Sequence, residues 1–168
     1  MQLTGGRLLE TVHKAISDYN LDPGCLEFEL GDGAGCLQRP KEVETLQALR
    51  KLGVGVTLDH FGTHDFSFAA LDSTIVSTFV LHQSLIHDVT ENEQHQRIVR
   101  AAIAMAEGLD ISIAAEGVET SGQLEFLRGA NCEAAQGFFI SQPMESHKIN
   151  ALLHTESLGG KLVAPHPQ

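Results

Sequence analysis

The sequence predicts an α/β fold with about five parallel strands and flanking helices. Segments with apolar residues at helical spacing alternate along the chain with short apolar, β-branched runs. Polar residues recur where those short runs end. Strands that alternate with helices favour parallel pairing through right-handed crossovers, so these observations together indicate an α/β sheet.

The first half of the chain predicts two helices and three strands. Leu8, Val12 and Ile16 share one face of a helix. Pro40 suits the first turn of the second helix, since the missing amide of proline is not needed there. The predicted ranges, in chain order, are helix 7–19, strand 26–30, loop 31–35, helix 40–53, strand 54–58 and strand 76–81.

The second half predicts the longest helix, two strands and two shorter helices. Thr120 and Gln123 have the spacing of a capping box, in which each side chain binds a free amide at a helix start. The Gly/Pro-rich end of the chain predicts a flexible tail. The predicted ranges are helix 91–107, strand 111–115, helix 120–128, strand 134–140, helix 145–153 and tail 156–168.

Composition and charge exclude several classes of function. The chain has 168 residues, 42% of them hydrophobic, which predicts one globular domain. With 11 Lys+Arg against 22 Asp+Glu, the net charge of −11 argues against binding a nucleic-acid polymer. No apolar run is long enough to predict membrane insertion. The chain shows no leader pattern, and its three cysteines lack the spacing of a disulfide framework. These two features predict a cytoplasmic protein.

Polar side chains lie at the ends of the predicted strands. They are Glu29, Asp59 with His60, His82 and Glu116, and a further polar residue, Gln136, lies within the fifth predicted strand. Strand ends of a parallel sheet meet at one edge, where carboxylates repel each other unless a cation lies between them. Such oxygen ligands suit Mg²⁺ or Mn²⁺, which activate water for phosphoester hydrolysis. Capping of the following helices is the alternative interpretation of each of these residues.

Three motifs carry a resemblance to a known family. LDHFGT (58–63), AAEGVET (114–120) and AAQGFFISQPM (134–144) have matching order and spacing. Over residues 2–153 the chain resembles the EAL domain, a family of bacterial cyclic-di-GMP phosphodiesterases. The resemblance implies a TIM-type (β/α)₈ barrel with divalent metals at its mouth. We therefore expect residues 1–155 to form an EAL-like domain, an incomplete barrel that lacks the first three strands and the Glu-Ala-Leu signature.

The resemblance also implies the roles of individual residues. Glu29, Asp59, Glu116 and Gln136 match metal-binding positions of the family, and His60 is a further metal candidate. Glu116 and Glu119 match the catalytic glutamates of the EGVE motif. The implied cofactor is Mg²⁺ or Mn²⁺, with a chain that holds no metal as the alternative.

Three departures from the family change the expected function. His60 replaces the second aspartate of the DDFG motif, while Val80 and His82 replace the lysine and aspartate of the LKID motif. Valine can neither donate a hydrogen bond nor stabilise an oxyanion. The resemblance thus implies a degenerate EAL-type signalling module without phosphodiesterase activity.

Such a module would act through a protein partner or through self-association, because a five-stranded sheet leaves open edges. Two alternatives remain. One is a cyclic-di-GMP receptor that does not hydrolyse its ligand. The other is a metal-dependent cyclic-di-GMP phosphodiesterase in which His60 and His82 bind a transition metal.

Overall fold

The computed structural model describes residues 7–31, 35, 37, 39–61 and 72–149. Five strands form one sheet in the order β1-β2-β3-β4-β5, and helices flank them along the chain. This confirms the predicted α/β fold with five parallel strands. The strands are β1 (Glu27–Leu30), β2 (Gly55–Phe61), β3 (Thr78–Leu81), β4 (Ser112–Ala115) and β5 (Ala134–Ala135). The helices are α1 (Arg7–Tyr19), α2 (Pro40–Lys51), α3 (Gln83–Ile86), α4 (Glu93–Gly108) and α5 (Ser121–Gly129).

Some predicted segments lie partly or wholly outside the described residues. Most of the loop 31–35 and the whole tail 156–168 are outside them. Of the helix predicted at 145–153, residues 146–149 are helical and residues 150–153 are not described. Among the described helices, none has the length and apolar character needed to cross a bilayer.

The chain divides into two compact units, which are described separately. The first comprises residues 1–80 and 106–112, and the second comprises residues 81–105 and 113–168. In the first unit β1 and β2 pair in parallel, with Glu27 opposite Gly55 and Leu30 opposite Leu58. Helix α2 buries Leu46 and Leu49 completely. Pro40 lies in the first turn of α2 as predicted. Arg50 and Lys51 lie in its last turn, where their positive charges stabilise the negative end of the helix dipole.

The second strand extends beyond its predicted end. The sequence predicted 54–58, whereas β2 continues to Phe61. The Phe61 side chain is buried and stacks on Phe79, with ring centroids 5.2 Å apart. This aromatic contact stabilises the last residues of β2. Asp59 and His60 therefore lie within the strand rather than after it.

In the second unit, the start of α4 is held by a group of polar side chains. Asn92 accepts hydrogen bonds from the backbone amides of Gln94 and His95, at 3.0 and 3.2 Å. Its side-chain amide donates to Asp88 at 2.9 Å, and His95 Nδ1 lies 2.5 Å from the other Asp88 oxygen. These donors, Asn92 first and His95 second, lower the pKa of Asp88 below its ordinary value.

The fifth strand is shorter than the predicted range 134–140. Pairing with β4 covers only Ala134 and Ala135. Immediately afterwards Gln136 O accepts a hydrogen bond from Val118 N at 3.0 Å. A Cβ atom on Gly137 would lie 2.1 Å from Val118 O and 2.3 Å from Val118 N. The strand ends here because the backbone turns against Val118, an approach that only glycine permits.

We predict that Gly137→Ala destabilises the protein by roughly 2–3 kcal/mol, because the added methyl group overlaps backbone atoms of Val118. Urea unfolding measures this change. Gly108→Ala is the matched control, since a Cβ there meets no atom within 4 Å. Gly108→Ala should leave stability unchanged or raise it by up to ~1 kcal/mol. Equal stabilities of the two variants would contradict the close approach at Val118.

We predict that Asp88→Asn loses stability at pH 6, and that its deficit relative to wild type shrinks as the pH falls below about 4. The folded-state pKa of Asp88 is lowered, so its contribution is present above the unfolded value of 3.8 and disappears as the pH falls through the folded value. Chemical unfolding at several pH values measures the deficit. Glu93→Gln also removes one carboxylate charge, but from an exposed ion pair with Arg97. This variant should show little loss of stability at any pH.

Candidate functional site

In the first unit, β1 and β2 present two of the predicted metal-binding carboxylates. Glu29 is paired with Thr57 across the parallel strands. Side chains alternate along a strand, so Glu29, Thr57 and Asp59 lie on the same face. Asp59 is only 7% exposed. The structure thus brings Glu29 and Asp59 to one face near the carboxyl ends of adjacent strands.

The residue after Asp59 engages its carboxylate. His60 N donates a hydrogen bond to Asp59 Oδ1 at 2.6 Å, and His60 Nδ1 lies 2.8 Å from Asp59 Oδ2. His60 has a φ of +64°, in the left-handed region, which costs a non-glycine residue about 1 kcal/mol. His60 therefore donates its backbone amide to Asp59 and places a ring nitrogen beside it, whereas the aspartate that the resemblance implies would supply oxygen ligands.

The side chain of Val80 is buried. It is 8% exposed on β3, next to the fully buried Phe79. This is the position at which the resemblance implies a lysine. A valine here contributes packing and no charge.

In the second unit, Glu116 directly follows β4, and its carboxylate receives a hydrogen bond from the start of α3. Its amide donates to Leu81 O at 3.1 Å, and its Oε1 accepts from Gln83 N at 3.1 Å. His82 Nε2 lies 3.7 Å from the same Oε1. One backbone amide thus binds the Glu116 carboxylate, and the ring of His82 lies near it.

The hydrogen bonds of His82 indicate which nitrogen carries the proton. His82 is the N-cap of α3, and its Nδ1 accepts from Ser84 N at 3.2 Å. The neutral ring therefore carries its proton on Nε2, the atom that faces Glu116. In this tautomer His82 is a donor towards the carboxylate, and a metal would have to displace that proton.

Gln136 follows β5 and lies next to the Glu116 segment. Its amide donates to Ala115 O at 2.8 Å, beside the paired residues Ala115 and Ala135. Its side-chain Oε1 is buried and has no hydrogen-bond partner among the described residues. Glu119, the second predicted catalytic glutamate, is exposed. Gln136 thus retains a free oxygen at the end of β5.

Gly117 fixes the backbone between the two glutamates. Its φ is +74°, and a Cβ atom there would lie 2.5 Å from Gln83 Cβ. Both the conformation and the close approach require glycine. This requirement explains physically why a glycine separates Glu116 from the following Val118 and Glu119.

The oxygen atoms of the predicted metal-binding residues are chemically suited to a hard divalent cation. Carboxylate and amide oxygens are the ligands that Mg²⁺ and Mn²⁺ prefer, and the unpartnered Gln136 Oε1 is an oxygen of that kind. Within the described part of the chain, no group of three or more His, Cys, Asp or Glu residues is placed to hold a metal ion.

The sequence did not predict the roles of Gln83 and Ser84. Both act through backbone amides, which bind Glu116 Oε1 and His82 Nδ1. A backbone amide has no sequence signature of its own. The only available signal was their position after β3, at the start of a helix too short to show helical periodicity.

Comparisons with known proteins agree on one family. A profile of the EAL domain family matches residues 1–143. The chain is 35% identical over 137 residues to the cyclic di-GMP phosphodiesterase NbdA of Pseudomonas aeruginosa, covering 82% of this chain and 18% of NbdA. It spans about a fifth of the length of the curated relatives that it matches.

Solved structures match over most of the chain. The EAL domain of Mycobacterium smegmatis DcpA has a TM-score of 0.83 at 30% identity, covering 90% of this chain and 68% of that domain. The PaMucR phosphodiesterase, solved as a c-di-GMP complex, has a TM-score of 0.78 at 29% identity, covering 88% of this chain and 60% of that one.

We predict that His82→Leu lowers the stability by about 1 kcal/mol, because it removes the acceptor that caps α3. His82→Asn is the matched control, since its side-chain oxygen can accept from Ser84 N without adding charge near Glu116. His82→Asn should unfold at the wild-type urea concentration. Equal losses in both variants would show that the capping bond contributes nothing.

Proposed function

The chain belongs to the EAL domain family, and we propose that it is a degenerate module of cyclic-di-GMP signalling, without phosphodiesterase activity. It acts in the cytoplasm through contacts with a protein partner or with a second copy of itself. The observation that carries the proposal is the buried Val80 on β3. The proposal is supported by the uncharged side chain of Val80 and by His60 and His82, which lie near the strand ends.

Val80 removes a charged group from the position of the family lysine. Hydrolysis of a phosphodiester builds negative charge on the phosphate oxygens, and a cationic donor stabilises that charge. Loss of one such donor typically lowers a rate by about 10²–10³. Val80 cannot replace it, because its side chain is buried and has no hydrogen-bond donor.

The two histidines further disfavour a metal centre for hydrolysis. His60 engages Asp59, and the proton-bearing nitrogen of His82 faces Glu116. In addition, the backbone amides of His60 and Gln83 already donate to carboxylates that the resemblance assigns to metal binding. The resemblance assigns the binding of a divalent cation to Glu29 and Asp59 in the first unit and to Glu116 and Gln136 in the second. Such a cation supplies charge neutralisation and an activated water.

The named relatives support the ligand class. NbdA and PaMucR are named as phosphodiesterases, the former of cyclic di-GMP, and PaMucR was solved with c-di-GMP. The retained Glu116 and the buried free oxygen of Gln136 favour a second candidate, a cyclic-di-GMP receptor without hydrolysis.

We predict that the chain does not convert cyclic-di-GMP to its linear product with Mg²⁺ or Mn²⁺, because the Val80 position offers no cationic donor. Chromatography of the nucleotide after incubation measures turnover. Glu116→Ala is the matched background control, and the PaMucR phosphodiesterase is the positive control. Turnover clearly above that of Glu116→Ala contradicts the proposal and favours the metal-dependent enzyme.

Calorimetry on the same samples separates the two remaining functions. If titration of cyclic-di-GMP into micromolar protein gives no heat of binding, this supports action through protein contacts alone. Heat of binding without turnover supports the receptor instead.

A further inference from the structure

Gln123 makes more hydrogen bonds than a helix cap requires. Its side chain is 3% exposed in the first turn of α5. Oε1 accepts from Thr120 N at 3.0 Å, as a capping box demands, and also from Glu119 N at 2.7 Å. Nε2 donates to His87 O at 2.9 Å, in the turn that follows α3. One side chain therefore joins the backbone of Glu119 to a segment more than thirty residues away.

The same turn lies tightly against the start of α5. A Cβ atom on Gly122 would lie 3.2 Å from Thr90 Cγ2. The first turn of α5 therefore has little freedom to shift relative to residues 87–91 while the bond from Gln123 to His87 persists. The close contact and the hydrogen bond constrain the same pair of segments.

The segment 116–120 is held at both of its ends. At its beginning, Glu116 binds Leu81 O through its amide and Gln83 N through its carboxylate. At its end, Gln123 binds the amides of Glu119 and Thr120. Between these anchors Gly117 packs closely against Gln83 with a left-handed φ, and Val118 N donates to Gln136 O at 3.0 Å.

We infer that Gln123 is a positioning residue for the glutamates of segment 116–120. It acts through the backbone of Glu119 and fixes that backbone to the turn at His87. Glutamine is required for this role. A glutamate at the same position would cap the helix equally well, but a carboxylate has no proton to donate to the His87 carbonyl. The inference concerns placement and holds whether or not the chain hydrolyses a cyclic dinucleotide.

Three variants of the whole chain separate positioning from capping. Gln123→Met removes every side-chain hydrogen bond at nearly constant volume. Gln123→Glu keeps the acceptor for Glu119 N and Thr120 N and loses the donor to His87 O. Thr120→Ala removes the other half of the capping box, the acceptor for Gln123 N at 3.3 Å, and leaves the three bonds of the Gln123 side chain in place.

The readouts are amide exchange at Glu119 and Thr120 and the amide resonance of Gln83, measured by NMR without added ligand or metal. The Gln83 resonance reports the position of the Glu116 carboxylate, because Gln83 N donates to it. In Gln123→Met we expect exchange at Glu119 and Thr120 to become about tenfold faster relative to core amides. The Gln83 resonance should move in both Gln123 variants and stay in place in Thr120→Ala.

Two results overturn the inference. One is an unmoved Gln83 resonance in Gln123→Glu, which would make Gln123 a helix cap only. The other is an equal movement in Thr120→Ala, which would reflect general loosening of α5. Should Gln123→Met fail to fold, the comparison of Gln123→Glu with Thr120→Ala alone decides between these outcomes.

Discussion

A carboxylate withdrawn from water must be supplied with hydrogen-bond donors, since removal of an ion from solvent costs several kcal/mol when it is left uncompensated. Asp59 meets this requirement through the amide of His60, with the ring of His60 nearby. Glu116 meets it through the amide of Gln83, with the ring of His82 nearby. The local conformations at the ends of β2, β3 and β4 are arranged around these donors, and the positions of Gly117 and Gln123 follow from them.

Local sequence signals were sufficient for most of the fold. Pro40 predicted the start of α2, and the pair Thr120 and Gln123 predicted the capping box of α5, which the structure confirms. Such signals act within one turn of helix and can be read directly. Strand ends could not be read in this way. Phe61 extends β2 by stacking on a distant ring, and Gly137 ends β5 by meeting the backbone of Val118.

The sequence identified the residues of the candidate site, but it did not identify the groups that donate hydrogen bonds to them. Glu29, Asp59, Glu116 and Gln136 were identified from strand ends and family motifs, and the structure shows where each one lies. The donors to Glu116 and His82 are backbone amides, whose direction depends on the fold of α3. Gln123 was visible as a cap, but its bond to His87 spans 36 positions and has no local signature.

The left-handed backbone at position 60 narrows the set of side chains that can stand there. Asn, Asp and His are several-fold enriched in this conformation among non-glycine residues, whereas β-branched and bulky residues are strongly disfavoured. Histidine is therefore one of the few non-glycine residues that this backbone accepts, as is the aspartate that the resemblance implies at this position. Chain geometry, as much as any gain in chemistry, accounts for the imidazole beside Asp59. The backbone conformation at position 60 limits which side chains can occupy it, independently of any ligand that the protein binds.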